Sequence, residues 1–417
     1  MTQPVVRTHD ELTRILDDEL IVSRYQPIID LVEMRPAGFE ALARGPQGSD
    51  LEFPDRLFDT AREAGRLDEL DAQCRLAAIR GAAGSAIATS GGSLFINVEP
   101  GVTGPSMVAT YDVLAGAPSA QGVIFEFTER ALTERPADVL AAARRLRTLG
   151  AGIALDDIGV DPRSLALLSF LQPDVVKLDM RIVHGARSAH TAKVMHAVGA
   201  YAERTGAAIV AEGIETAAHL TAARSLGATH GQGWLFGRPE APPASVDAVA
   251  MRRRSRPVRI ASDGTPFGDV VRSGRPVQQG DKALILALSR QLEVQAATLG
   301  DDVAIIGNLQ HERHLTPHTA DRYAALASGA AFAGLIGAGV PEEPAPGVRG
   351  GAYATDDPLA LEWSVTVISP HFAGAMLALD LGDRDVPDMT RRFSFCLTYD
   401  RALVSAAASA LMARIER

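Results

Sequence analysis

Eight short apolar segments, most of them separated by helical stretches, restrict the fold of the first part of this chain more than any other feature. Helices are predicted between the segments at Asp59–Ala82, Ala137–Leu149 and Ala189–Thr205. Eight strands that alternate with helices over about 250 residues are typical of a (β/α)8 barrel. The predicted strands are Tyr25–Leu31, Phe39–Arg44, Leu94–Glu99, Val123–Thr128, Gly152–Asp157, Val175–Asp179, Ala208–Glu212 and Gly231–Phe236.

The connection between the first two predicted strands departs from that pattern. Only residues 32–38 separate them, whereas a parallel pair needs a crossover of about a dozen residues or more. We therefore expect an α/β fold in which a variant, TIM-like (β/α)8 barrel has an antiparallel first strand. Ahead of the barrel, Thr8 and Glu11 predict a capping box and a helix that runs to about Leu20.

Proline residues mark the end of the barrel region. A helix is expected to lead from Arg238-Pro239 and Pro242-Pro243 into a basic run at 252–256. We interpret that run as a solvated linker, with binding of an anionic partner as the alternative. The predicted organisation is a barrel domain over 1–245, a linker over 246–265 and a second, smaller α/β domain over 266–417.

The second region repeats the alternation of helices and strands. Helices are predicted at Lys282–Leu292, Ala320–Ser328 and Arg401–Ile415, and a loop rich in proline and glycine at Pro341–Tyr353. The predicted strands are Asp302–Asn308, Phe332–Ile336, Trp363–Ile368 and Gly374–Leu381.

Charge and cysteine content exclude some classes of protein. The formal net charge of -10 argues against general electrostatic binding to nucleic acid. Cys74 and Cys396 lie far apart and form no disulfide framework or metal motif, which fits a reducing, cytoplasmic compartment. The polar, acidic N-terminus is not expected to be a signal peptide, and no apolar run reaches the ~18 residues that a membrane span requires.

Polar side chains interrupt the apolar strands of the predicted barrel. A carboxylate buried alone among apolar residues is costly, but the carboxyl ends of barrel strands converge, and active sites lie there. Lys177 paired with a single aspartate is equally well explained as a core ion pair; the whole set is not. The set is Glu40, Asn97, Glu126, Asp156, Asp157, Lys177, Glu212 and Gln232.

The types of ligand in this set predict its chemistry. Carboxylates with one amide oxygen, and no histidine or cysteine, suit hard divalent cations such as Mg²⁺ or Mn²⁺. Two adjacent aspartates, Asp156 and Asp157, can offer oxygens to two neighbouring ions. Paired ions about 3.5–4 Å apart hold a phosphoryl group and activate water for in-line displacement. The sequence therefore predicts a two-metal site with one lysine, Lys177, inside it.

The same segments resemble the cyclic di-GMP phosphodiesterases of the EAL-domain family, in the same order and over roughly residues 20–240. A lone Glu-Ala-Leu triplet would mean nothing, whereas the ordered set is specific. The matching segments are Tyr25-Gln26-Pro27-Ile28, Glu40-Ala41-Leu42-Ala43-Arg44, Asn97-Val98-Glu99-Pro100, Glu126-Phe127-Thr128-Glu129, Asp156-Asp157-Ile158-Gly159, Lys177-Leu178-Asp179, Ala211-Glu212-Gly213-Ile214-Glu215-Thr216 and Gln232-Gly233-Trp234-Leu235-Phe236.

This resemblance implies hydrolysis of cyclic di-GMP to linear pGpG by a homodimer with two Mg²⁺ or Mn²⁺ ions per site. From the net charge and the lack of a long apolar run we expect no nucleic-acid or membrane partner. Lys177 would orient the attacking water, and Glu129 would hold the loop after the fifth strand. The implied metal ligands are Glu40, Asn97, Glu126, Asp156, Asp157 and Glu212. The implied catalytic group is Lys177, Asp157, Glu212 and Glu129. The implied substrate contacts are Gln26, Leu42, Arg44, Asp179, Glu215, Gln232 and Arg238.

The loop after the fifth predicted strand departs from the family. Relatives carry D-D-F-G-T-G, whereas Asp161-Pro162 stands here at the second glycine position. Glycine there permits backbone angles that are closed to most residues, aspartate tolerates them moderately, and proline fixes φ. We therefore expect a less mobile loop. Every implied metal ligand is present, so an active enzyme is favoured.

The second region resembles another family only near its end. The segment Phe393–Arg401 is similar to the end of a DICT domain, a sensor module, which implies regulation by an unknown small-molecule or protein signal. His311, His314 and His318 are spaced like ligands on one face of a helix. Because Pro317 interrupts such a helix, we favour a solvated loop over a metal site.

Three functions follow from these observations. The first is an active phosphodiesterase regulated by the sensor domain, and the second is a catalytically weak or inactive receptor that binds cyclic di-GMP in the same pocket. A structural scaffold is the third, against which the buried carboxylates argue. A receptor is free to lose metal ligands, and all of them are present, so the sequence favours the enzyme.

Overall fold

The structure is a computed structural model that describes residues 3–99, 104–116, 122–185, 188–251, 264–383 and 385–416. Eight strands close into a barrel in chain order. The first pairs antiparallel with both the second and the eighth, and the other neighbours are parallel. This confirms the variant barrel. The strands are β1 (Val22–Asp30), β2 (Arg35–Arg44), β3 (Ser93–Val98), β4 (Val123–Thr128), β5 (Gly152–Ile158), β6 (Val175–Leu178), β7 (Ala208–Ala211) and β8 (His230–Gln232).

Helices surround the barrel, and two predictions about them were wrong. The single helix predicted at Asp59–Ala82 is two helices, because Gly65 takes a left-handed φ of 67° between them. Thr8 lies inside the first helix and does not cap it. The helices are α1 (Gln3–Asp17), α2 (Pro54–Glu63), α3 (Leu67–Ala83), α4 (Ala86–Thr89), α5 (Gly104–Gly116), α6 (Glu129–Glu134), α7 (Pro136–Thr148), α8 (Leu168–Leu171), α9 (Met180–His184), α10 (Ala189–Thr205) and α11 (Ala217–Ser225).

The alternation of side chains along each strand decides what enters the barrel. In β4, Phe125 and Phe127 pack outward in the core beneath the helices, while Ile124 points inward. The same alternation turns Glu126 inward, one layer nearer the carboxyl end of the strands. The barrel interior thus has an apolar lower layer and a polar upper layer.

An extended segment seals the amino end of the barrel. The amide of Val249 donates a hydrogen bond of 2.8 Å to the Pro36 carbonyl, and Met251 is buried against the inward-facing apolar layer. The helix predicted after Pro243 is wrong, because residues 244–251 contain no helix or strand and instead cover the lower layer. Both the basic run at 252–256 and Pro100 lie outside the described residues.

A seven-stranded mixed sheet follows the barrel, in the order β12-β11-β10-β13-β14-β15-β9. Its strands are β9 (Gln278–Asp281), β10 (Ala304–His311), β11 (Phe332–Ala338), β12 (Arg349–Tyr353), β13 (Glu362–Ile368), β14 (Ala373–Asp380) and β15 (Arg392–Thr398). Its helices are α12 (Pro266–Arg272), α13 (Lys282–Thr298), α14 (Pro317–Ala327) and α15 (Arg401–Met412).

Two predictions for this region need correction. The predicted loop Pro341–Tyr353 contains β12, whose glycines permit close approach of neighbouring backbone atoms: a Cβ at Gly350 would lie 1.7 Å from the Pro341 carbonyl oxygen. Pro317 begins α14, where a proline is well tolerated. His314 therefore lies in a short 3-10 turn outside the helix that carries His318.

Helix α15 lies between the sheet and the barrel. Its apolar residues belong to one continuous core with Phe170 and Leu171 of α8. Ser409 donates a hydrogen bond to the Phe170 carbonyl at 3.4 Å, and Arg401 donates one to the Ser169 hydroxyl at 3.3 Å. The barrel and the second sheet are thus joined along the segment that follows β5. No helix among the described residues is both long and apolar enough to cross a membrane.

Candidate metal and phosphate site

Lys177 is the centre of the polar upper layer. It projects inward from β6 and is only 1% exposed. Its ammonium lies 2.7 Å from Glu212, 3.0 Å from Glu126, 3.4 Å from Glu40 and 3.5 Å from Asp156. Carboxylates from four different strand ends therefore meet at one cation, as the sequence predicted.

Amide side chains orient Glu40 within this group. Asn97 donates to one carboxylate oxygen of Glu40 at 2.8 Å, and Gln232 donates to the other at 2.7 Å. Gln232 also donates to the Gln26 side chain at 3.0 Å, and Gln26 donates to the Gly237 carbonyl at 3.0 Å. These bonds join β1, β2, β3 and β8 and hold the Glu40 carboxylate in a fixed orientation.

A second part of the site has the composition of a cation site. Asp156, Asp157 and Glu212 place ligand oxygens within 4.8 Å of one another. Asp157 reaches this group because its backbone takes a left-handed φ of 60°, which few non-glycine residues adopt. Glu126 is 1% exposed, and beyond its ion pair with Lys177 neither of its carboxylate oxygens has a hydrogen-bond partner among the described residues. These donors fit a hard divalent cation.

The pKa values of these groups indicate a shortage of positive charge. Burial raises the pKa of Glu126 well above its ordinary value, and it raises the pKa of Asp156 to about 6 and of Glu212 to about 8, against the opposing charge of Lys177. Burial would lower the pKa of Lys177, but the carboxylates around it raise it well above its ordinary value. Burial would raise the pKa of Glu40, but the charge of Lys177 and the hydrogen bonds from Gln232 and Asn97 lower it below its ordinary value. One lysine thus fails to stabilise all the ionised carboxylates.

A cavity of about 450 Å³ adjoins this cluster. Leu42 of β2 and Asn97 of β3 line it, together with Phe58 and Arg62 of α2. Its size lies within the range of small-molecule sites. Asn97 lines the cavity and also bonds Glu40, so this residue links the cavity to the acidic group, although Glu40, Lys177 and Glu212 do not line the cavity themselves.

The remaining predicted site residues lie around this group, outside its hydrogen-bonded network. Asp179 caps α9, and its charge, after burial, raises the pKa of Asp157. Glu129 is the first residue of α6, and Glu215 is exposed ahead of α11.

Two arginines were also predicted to contact substrate. Arg44 donates to the Ala43 carbonyl at 2.7 Å. Arg238 lies 4.2 Å above the Trp234 ring. The predicted role of Glu129 in holding the loop after β5 and the predicted substrate contacts of the other residues stay predictions.

A buried ion pair in the wall of the cavity was not predicted from the sequence. Arg75 and Asp71 of α3 are 0% and 2% exposed and form an ion pair. Asp71 also accepts a hydrogen bond from the Glu99 amide at 3.2 Å, at the end of the strand that carries Asn97. The i,i+4 spacing of opposite charges in an otherwise buried helix face was the available signal.

Arg181 was not predicted from the sequence either. It donates to Asp179 at 2.9 Å, and the charges of Asp179, Asp157 and Glu129 all raise its pKa. It is thus a cation at the rim of the acidic group, next to the residues predicted to contact substrate.

The loop after β5 accommodates Asp161 without left-handed backbone geometry. The left-handed residues here are Asp157 and Gly159, at φ 60° and 104°, and Asp161 is not among the positive-φ residues. A Cβ at Gly159 would lie 2.5 Å from the Ile182 side chain, so glycine is required at that position. A 3-10 turn then begins directly at Pro162.

We therefore expect Asp161→Gly to change the rate of the cyclic di-GMP hydrolysis that the sequence resemblance implies by less than about threefold, since no backbone strain at residue 161 is relieved. Gly159→Ala is the matched comparison and should lower the rate strongly, because it adds both a clash and φ strain. Initial rates of pGpG formation measure both. A large gain in Asp161→Gly would show that the loop rests in an unproductive form.

The structure thus defines an α/β barrel protein with an acidic, lysine-centred cluster at the carboxyl ends of its strands, whose side chains have the composition of a divalent-cation site. The EAL-domain profile matches residues 9–239, so the chain belongs to the EAL-domain family. The profile of the sensory domain in diguanylate cyclases and two-component systems, DICT, matches residues 270–381.

Among curated relatives, the chain is 29% identical over 241 residues to cyclic di-GMP phosphodiesterase NbdA of Pseudomonas aeruginosa, covering 56% of this chain and 31% of that protein. It is 29% identical over 240 residues to probable cyclic di-GMP phosphodiesterase PdeB of Escherichia coli, and the match covers 55% of this chain and 45% of that protein. Among solved structures, the manganese/cyclic di-GMP complex of Klebsiella pneumoniae BlrP1 at pH 9.0 has a chain that is 28% identical to this one, with a TM-score of 0.46. The match covers 53% of this chain and 56% of that chain. The match covers less than a third of the length of NbdA and of two further curated relatives.

Proposed function

We propose that the barrel hydrolyses cyclic di-GMP to linear pGpG with two Mg²⁺ or Mn²⁺ ions. The observation that carries this proposal is the convergence of Glu40, Glu126, Asp156 and Glu212 on Lys177 at the carboxyl end of the strands. Membership of the EAL-domain family, with relatives that are named cyclic di-GMP phosphodiesterases, supports the choice of substrate.

The residues proposed to hold the ions are those with available or convergent oxygens. They are Glu40, Asn97, Glu126, Asp156, Asp157 and Glu212. When bound, such ions withdraw charge from the scissile phosphate. Among the side chains at the centre of the cluster, Lys177 is the cation, so it is assigned to hold the attacking water or a phosphate oxygen.

The proposed reaction balances with water alone as the second reactant. Water adds to one phosphorus atom, the bond from that phosphorus to the 3′-oxygen breaks, and this oxygen takes up a proton to leave linear pGpG. The carboxylates beside Lys177 are placed to accept the proton that water loses. Leu42 in the adjoining cavity is proposed to contact the nucleotide, and the homodimer stays part of the proposal.

Incubation of the purified full chain with cyclic di-GMP and Mn²⁺ or Mg²⁺ tests this function. We expect pGpG to accumulate, EDTA to stop its formation, and added Mn²⁺ to restore it. Ca²⁺ should bind but support little turnover, because its looser coordination positions water poorly. Cyclic di-GMP that binds tightly but stays intact with Mn²⁺ present would contradict hydrolysis and leave a receptor.

We also propose that the second sheet regulates the barrel through α15. The double variant Ser169→Ala, Ser409→Ala removes both side-chain hydrogen bonds between α8 and α15. It should change kcat/KM at least about fivefold, the lower end of the range for allosteric coupling. Ser405→Ala is the matched control, since Ser405 is a buried serine of α15 with no hydrogen bond to the barrel among the described residues. Equal rates in all three proteins would exclude coupling through this contact.

A further inference from the structure

The second sheet carries a cavity of about 300 Å³ on the face covered by α13 and α14. Strands β10 and β13 form its floor, and Trp363 and Tyr323 line its apolar side. Its volume is at the lower end of small-molecule sites. The acidic group of the barrel contributes no residue to this cavity, so an inference about it does not depend on hydrolysis.

A buried hydroxyl in the wall of this cavity has no partner. Ser289 of α13 is 2% exposed, and its hydroxyl makes no hydrogen bond with any described residue. A serine within a helix ordinarily bonds a carbonyl of the preceding turn, and leaving a buried hydroxyl unpaired is costly. The position lines the cavity, so a ligand there can supply the missing partner.

The floor of the cavity contains a strained residue. Gln310 takes a left-handed φ of 68° at a bulge of β10, where non-glycine residues are rare. Asn308 holds it there: the Gln310 amide donates to the Asn308 side-chain oxygen at 3.1 Å, and the Tyr353 hydroxyl donates to that same oxygen at 2.6 Å. Backbone strain of this kind, maintained by surrounding bonds, clusters at ligand sites.

The charges around the cavity favour an anion. Two cations are already paired, Lys282 with Asp388 at 2.6 Å and Arg322 with Glu293 at 2.9 Å. Arg313 also lines the cavity but has no ion pair with a described residue. The lining therefore carries an excess of one positive charge.

The pKa of His314 reports the same field. Burial lowers it, and the charges of Lys282, Arg313 and Arg391 lower it further. His314 lines the cavity and hydrogen-bonds the Leu309 carbonyl at 2.7 Å. The positive charges that destabilise a protonated His314 would stabilise a ligand with negative charge in the same cavity.

We propose that this cavity is the ligand site of the second domain and binds a small organic anion. Its carboxylate would pair with Arg313, its aromatic or aliphatic body would pack against Trp363 and Tyr323, and a polar group would bond the Ser289 hydroxyl. A volume of about 300 Å³ admits a ligand with one ring or a short chain.

The two tryptophans allow binding to be observed at this site alone. The chain contains only Trp234 and Trp363, so Trp234→Phe leaves Trp363 as the fluorescent probe in the cavity wall. Benzoate, benzamide and benzylamine share one ring and differ in charge. We expect benzoate to change Trp363 fluorescence saturably with Kd below about 1 mM, and the other two to bind at least about tenfold more weakly.

Substitutions in the same background locate the site. Ser289→Leu fills the cavity and should abolish the benzoate response, while Arg313→Gln should weaken benzoate at least about fivefold and leave benzamide unchanged. Ser405→Ala, a buried serine on the opposite side of the sheet, is the control and should bind as the parent does. If Ser289→Leu does not fold by circular dichroism, the exposed Arg313→Gln decides the result.

Three results would overturn the proposal. They are no saturable response to benzoate up to about 10 mM, equal affinity for the three probes, and benzoate affinity that survives both Ser289→Leu and Arg313→Gln.

Discussion

Glu40→Ala is expected to lower kcat/KM for cyclic di-GMP at least ~10³-fold, or ~4 kcal/mol in the barrier. Glu40 is the carboxylate that Asn97, Gln232 and Lys177 jointly hold. Its removal takes away an expected metal ligand and leaves the donors of Asn97 and Gln232 without their acceptor. Initial rates of pGpG formation with saturating Mn²⁺ measure the loss.

Two comparison variants separate the causes of this loss. Glu40→Gln keeps the shape but removes the charge, and it should be nearly as inactive if cation binding is the main role. Glu33→Ala removes an exposed glutamate at the turn between β1 and β2, at the opposite end of the barrel, and should keep full activity. A Glu40→Ala protein that folds normally and keeps a tenth of the wild-type rate would rule out Glu40 as a metal ligand.

Lys177→Ala is expected to lose turnover about 10²–10⁴-fold, the range for a positioned group that acts in the transition state. Its affinity for cyclic di-GMP should stay within about tenfold, or ~1.4 kcal/mol. Because Lys177 neutralises buried carboxylates, the free energy of unfolding without metal should fall by about 3–5 kcal/mol. Added Mn²⁺ should recover part of that stability.

Rates, calorimetric binding and thermal unfolding with and without Mn²⁺ test these expectations separately. Arg80→Ala is the control, since this exposed basic residue of α3 pairs with Glu19 at 2.7 Å outside the acidic group. A near-normal rate in Lys177→Ala would show that the water-orienting role belongs to another group. An unchanged rate together with unchanged stability would show that the ion pairs around Lys177 have no energetic weight.

The sequence predicted the barrel and the core of its site because both depend on local alternation. In any strand, the alternation of Phe125, Glu126 and Phe127 places the carboxylate on one face and the two rings on the other. Since the carboxyl ends of parallel strands meet at one end of a barrel, Glu126, Asp156 and Lys177 had to lie together once the strands were known. The short hairpin after Asp30 similarly required an antiparallel first strand.

Features that depend on distant contacts were not predicted. One such feature is the position of α15 between the barrel and the second sheet. Ala406, Ala407 and Ala408 are nevertheless buried on successive sides of that helix. A helix that is apolar all round belongs in a core, and this signal was available. The left-handed backbone of Asp157 had no local signal, because the surrounding loop imposes it.

The number of Mn²⁺ ions bound per chain tests whether the Lys177 cluster is a divalent-cation site, and equilibrium dialysis with elemental analysis measures it. We expect two ions for the full chain with excess pGpG, the proposed product, present. We expect at most one for Glu126→Gln, because Glu126 brings buried oxygens that have no hydrogen-bond partner among the described residues. A full chain that binds no Mn²⁺, or a Glu126→Gln variant that still binds two ions as tightly, would contradict a divalent-cation site at the Lys177 cluster.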